Sequence, residues 1–133
     1  MMRFWISAFV SLAAVGVFVS GCGPSAESQQ NHLTQLGSEI VGMVSDAQCA
    51  DSADCRYIAF GSKPCGGPWK YLIYCAQAVD TVALATKVAE YNALEKQIND
   101  ASELMSDCST PEPPVLEIVE GRCADVRGSM LHD

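Results

Sequence analysis

Apolar positions follow different rhythms in different stretches of this chain, and each rhythm predicts an element. Positions 4–19 are uncharged and almost wholly apolar, interrupted only by Ser7, Ser11 and Gly16. From Leu33 the apolar residues Leu33, Leu36, Ile40, Met43, Val44 and Ala47 recur at spacings of three and four, which places them on one face of a helix. Residues 48–54 lose that rhythm and read as a polar loop. Short runs of aromatic and branched residues at 56–60 and 71–74 read as strands around a glycine- and proline-rich turn. Leu84, Val88, Tyr91, Leu94, Ile98, Ala101 and Met105 then restore the helical spacing, with Asp80 as N-cap. That helix is expected to stop near Ser106, because Pro111, Pro113 and Pro114 cannot extend it. Runs at 115–119 and 123–126 flank Glu120-Gly121 and predict a closing hairpin. The expected class is α+β: a small disulfide-stabilised domain with two amphipathic helices and a short antiparallel sheet. The helical stripes are read as core, since helices and a small sheet need one another to bury their apolar faces.

The first apolar run has a single early charge, Arg3, and ends at Ser20-Gly21-Cys22-Gly23-Pro24. It is too short for the roughly 20 apolar residues that cross a bilayer and has the shape of a secretory signal. Val19-Ser20-Gly21-Cys22 resembles the bacterial lipoprotein signal, in which cleavage precedes a cysteine that becomes acylated on sulfur and on its new amine. More than one chain is needed for durable anchoring, so an acylated Cys22 tethers the protein to the membrane without a spanning helix. By the same resemblance Gly23, where an aspartate would favour inner-membrane retention, implies the outer membrane. The expected organisation is a lipoprotein signal peptide at 1–21, the lipidated cysteine and tether at 22–31, and a cysteine-rich domain at 32–133.

Seven cysteines are present, and setting Cys22 aside for lipid leaves Cys49, Cys55, Cys65, Cys75, Cys108 and Cys123. An even number in an oxidising compartment predicts three disulfides, for which fifteen connectivities exist. Neighbour pairing is the favoured one: Cys49 with Cys55, Cys65 with Cys75 and Cys108 with Cys123. Zinc is disfavoured because ligands two to four residues apart are missing, and a thioredoxin-like site because no Cys-x-x-Cys occurs. No metal and no cofactor are expected.

The 133 residues carry a formal charge of -8, and the 8 Lys and Arg form no run, which argues against a nucleic-acid partner. His32 and His132 lie near opposite ends of the mature chain, so neither is placed to activate a nucleophile. Glu90, Glu95, Asp100 and Glu103 read as solvating charges on a helix face. Asp46, Asp51 and Asp54 lack the spacing of a calcium loop. The densest segment is 61–71, Gly-Ser-Lys-Pro-Cys-Gly-Gly-Pro-Trp-Lys-Tyr. As a tight turn it uses glycine and proline for unusual backbone angles. As a recognition loop it offers Lys63, Trp69 and Tyr71 as binding residues, Trp69 being the aromatic anchor.

Cys55-Arg56, Phe60-Gly61-Ser62-Lys63-Pro64-Cys65-Gly66-Gly67-Pro68-Trp69 with Tyr71, Tyr91-Asn92, Ser106-Asp107-Cys108 and Pro113-Pro114 together resemble a group of small secreted or lipidated bacterial proteins. The Cys-Gly-Gly-Pro element is the specific part. The resemblance spans most of 49–123 and implies kinship without an activity, since that group has no established function. Cys75 stands where the group has another residue type, which puts neighbour pairing in question. The expected function is a non-enzymatic, envelope-anchored binding domain whose partners are the membrane, through lipid on Cys22, and an envelope protein or glycan. The alternative is a periplasmic hydrolase inhibitor using the loop 61–71. A substrate-like use of Lys63 against a trypsin-like enzyme is disfavoured by Pro64.

Overall fold

The computed structural model describes residues 23–127. Cys22, the signal segment and His132 lie outside the described residues. The element order is α1 (Ala26–Ser45), a 3-10 turn (Ser52–Asp54), β1 (Cys55–Phe60), β2 (Lys70–Cys75), α2 (Thr81–Ser102), β3 (Leu116–Val119) and β4 (Arg122–Asp125). This is the expected α+β class. The strands form two separate two-stranded antiparallel sheets, β1-β2 and β3-β4.

Local sequence explains most element boundaries. Ser25 caps α1 by accepting from the Ser28 amide, so the helix begins at Ala26, inside the stretch expected to be tether. Asp80 caps α2 as expected, its carboxylate accepting from the amides of Val82 and Ala83. The far end of α2 differs from expectation. Glu103 adopts a left-handed conformation (φ 49°), so the chain leaves the helix before Met105, which is 94% exposed. The closing hairpin turns through Glu120 and Gly121 at φ 50° and 77°, both positive as a type I′ turn requires.

Alternation along β1-β2 gives the sheet two faces. Ile58, Phe60, Leu72 and Tyr74 pack on one side against Leu36 and Ile40 of α1 and Leu84 and Val88 of α2. The two helices approach closely at Gly37, where an added Cβ would lie 3.0 Å from the Tyr91 ring. Tyr91 in turn stacks on Phe60 with ring centroids 4.3 Å apart. On the sheet's other side Cys49, Cys55 and Cys75 form a second buried cluster with Leu116, Ile118 and Cys123. The order of layers is therefore helices, β1-β2, then the β3-β4 hairpin.

Disulfides join these layers, and neighbour pairing is wrong. The bonds are Cys49–Cys75, Cys55–Cys123 and Cys65–Cys108. Cys55 and Cys75 occupy opposed positions of β1 and β2, which puts both on the face where Cys49 and Cys123 arrive. Sequence proximity misleads because Cys49 and Cys55 flank a polar turn that sends them to different partners. Cys65 sits in the loop after β1, far from β2's end, and meets the segment after α2 instead.

Candidate functional site

The loop between β1 and β2 is fixed by backbone geometry before any side chain acts. Gly61 (φ 88°), Gly66 (φ 90°) and Gly67 (φ 83°) all use left-handed angles open to glycine. Lys63 N donates to Gly67 O at 2.9 Å, Gly66 N to Lys63 O at 2.8 Å, and Trp69 N to Phe60 O at 3.0 Å. Helix α2 then clamps the loop with a polar stripe. Asn92 Oδ1 accepts from Gly61 N at 2.7 Å while its Nδ2 donates to Ala59 O at 3.2 Å. Glu95 accepts from Ser62 N, and the buried Asn99 donates to Ser62 O at 2.6 Å. Glu95 is therefore a loop anchor, contrary to its reading as a solvating charge.

Lys63 does not point outward. It is buried, and its ammonium donates to Asp107 Oδ1 at 2.9 Å, Ser109 O at 2.6 Å and Ser109 Oγ at 3.1 Å. It also lies 5.1 Å from the Trp69 ring centroid. Lys63, expected as a binding residue, is thus turned inward, where carboxylate, hydroxyl and carbonyl acceptors satisfy its charge. The hydrogen bond from Lys63, reinforced by those from Ser109, lowers the Asp107 pKa to about 2. The Cys65–Cys108 bond closes the same junction covalently.

Trp69 is held in place by this arrangement yet remains 46% exposed. Its indole crosses Gly61, where an added Cβ would lie 2.4 Å from Cδ1. Beside it opens a cleft of about 310 Å³, to which Trp69, Tyr71, Ile73, Pro111 and Pro114 contribute apolar surface. Lys70, Glu112, Asp125 and Arg127 supply its charges. Arg127 donates to both carboxylate oxygens of Asp125, from Nε at 3.1 and 3.0 Å and from Nη2 at 2.6 Å. This hydrogen bonding pulls the Asp125 pKa down to about 2. Tyr71 meets the 42%-exposed Tyr57 edge to face, with centroids 5.1 Å apart. The cleft combines an aromatic wall with polar groups already set in position, as ligand sites commonly do.

Of the three expected binding residues, Trp69 and Tyr71 come together at one cleft and Lys63 lies behind it. Sequence reasoning missed Asn92, Glu95 and Asn99, whose spacing of three and four beside the apolar stripe of α2 was the available signal. It also missed Asp125, Arg127 and Pro111, which reach the cleft only through the fold. A separate groove of about 640 Å³ runs along α1 between Leu33, Gly37, Val41, Phe60 and Tyr91, with no charged side chain in its lining. Among the described residues, one grouping offers three metal-type ligands, the sulfurs of Cys49, Cys55 and Cys123. They are committed to disulfides, whereas metals are held by thiolates. His32 lies on α1 with Nε2 3.8 Å from Glu90 of α2. The chain matches no protein-family model, no curated protein and no solved structure.

Proposed function

We propose that the protein is an envelope lipoprotein, acylated on Cys22 and anchored in the outer membrane, whose domain binds a partner without catalysis. The observation that carries the binding reading is the half-exposed Trp69, braced from behind by Lys63 and Gly61 and standing at the rim of the Tyr71–Pro111 cleft. A large aromatic side chain held rigid and partly wet is what a binding anchor needs, because little freedom is lost when a partner covers it. The anchoring reading rests on the apolar run ending in Val19-Ser20-Gly21-Cys22.

Trp69→Ala tests the binding reading in two measurements. Thermal unfolding should show a modest loss, and capture of the partner from envelope extract should fail. Unchanged capture by Trp69→Ala overturns the reading. Hydrolase inhibition by a substrate-like lysine does not suit an ammonium held inside by Asp107 and Ser109. An aromatic wedge at Trp69 is the form of inhibition that fits, and the same variant should abolish it.

A further inference from the structure

Two disulfides meet on the inner face of the β3-β4 hairpin. The sulfurs of Cys49, Cys55 and Cys123 lie within 4.8 Å of one another although they belong to two different bonds, Cys49–Cys75 and Cys55–Cys123. The cause is topological: Cys55 and Cys75 are opposed across β1-β2, so both partners must arrive at one place. A cleft of about 210 Å³ opens beside them, and its lining includes Cys75, Cys123 and Arg122. The remaining bond, Cys65–Cys108, belongs to the distant Trp69 loop.

Thiol–disulfide exchange needs a thiolate able to reach a disulfide sulfur, and a released thiolate with a second disulfide within a few ångströms passes the exchange on. We propose that this cleft is a thiol-exchange site, at which a low-molecular-weight monothiol converts the pair Cys49–Cys75 and Cys55–Cys123 into Cys49–Cys55 and Cys75–Cys123. The thiolate attacks Cys123 Sγ, forming a mixed disulfide and breaking the bond to Cys55, which leaves as thiolate. Cys55 attacks Cys49 Sγ, forming Cys49–Cys55 and releasing the Cys75 thiolate. Cys75 attacks Cys123 Sγ in the mixed disulfide, forming Cys75–Cys123 and returning the monothiol. Two disulfides enter and two leave, so no oxidant or reductant is consumed and the thiol acts as catalyst. The isomer frees the chain just after α1 from β2 and transfers the hairpin's tie from β1 to β2.

The test uses the oxidised protein with Cys22 acylated or replaced by serine, treated with 2-mercaptoethanol under anaerobic conditions at mildly alkaline pH, quenched by acid and mapped by mass spectrometry. Cleavage before aspartate combined with cleavage after Arg56, Lys70 and Arg122 places the six domain cysteines in six separate peptides, so one joining Cys49 to Cys55 is diagnostic. The expected result is that this peptide appears with one joining Cys75 to Cys123, at a rate proportional to thiol. Its plateau should be independent of thiol, and Cys65–Cys108 should stay intact throughout. Recovery of the original pairs alone overturns the proposal. So does scrambling that includes Cys65 and Cys108, since that reports unfolding rather than a site. In a second arm Cys49→Ser with Cys75→Ser removes the acceptor, and the mixed disulfide should accumulate. If that variant does not fold, the wild-type map alone decides.

Discussion

Gly61 meets two demands at once: a backbone angle of φ 88° and an indole lying where a Cβ would be. Gly61→Ala should therefore lower stability by more than about 2 kcal/mol, from left-handed strain plus displaced packing, and chemical denaturation will measure it. Trp69→Ala removes a side chain only about half buried, so its cost should fall well below the 3–5 kcal/mol of a fully buried aromatic, at about 1–2 kcal/mol. Asp107 makes the loop sensitive to acid. Its carboxyl titrates at about 2, against an ordinary 3.8. A depressed folded-state value means that the contribution is complete above the ordinary value and is lost as pH falls through the folded one. Emission from Trp69 in the mature chain, which lacks Trp5, should change between about pH 4 and 2, and Asp107→Asn should remove that step. Asp125→Asn should leave it in place, because Asp125 pairs with Arg127 and not with Lys63.

At the scale of elements, α2 has two jobs on adjacent stripes. Leu84 and Val88 are buried in the core, while Asn92, Glu95 and Asn99 hold the loop backbone. Asn99→Ala leaves Ser62 O without its buried donor, which costs about 1–3 kcal/mol. Hydrogen exchange should show the consequence as faster opening of loop 61–69, with α1 little affected. Asp80→Ala, by contrast, removes a helix cap and should cost about 1 kcal/mol spread through the first turn of α2. The two variants separate loop anchoring from helix stability.

For the whole molecule, the disulfides join parts far apart in sequence. Cys55–Cys123 spans 68 residues, and replacing both cysteines by alanine should cost about 4 kcal/mol in the chain-entropy account, enough to unfold many small domains at 37 °C. Intact mass with alkylation, before any reductant, should find no free thiol among the six domain cysteines. Cys22→Ser should abolish membrane retention and leave thermal unfolding of the domain unchanged, because the proposed lipid site precedes the first capped turn of α1. Labelling with a fatty-acid analogue checks the same point chemically.

The elements themselves were legible because they rest on local rules. Apolar spacing placed both helices, Asp80 announced its own cap, and Glu120-Gly121 announced a turn, all within a few residues of chain. Trp69 and Tyr71 were legible as a dense aromatic segment. The direction of Lys63 was not, because Asp107 and Ser109 come to it from beyond α2. Glu95 looked like a solvent charge for the same reason: its partner, the Ser62 amide, is set by how the loop lies on the helix. Disulfide pairing depended most on tertiary structure. Which sulfurs meet follows from strand register and the stacking of a hairpin on a sheet face, and neither is carried by the spacing of cysteines along the chain.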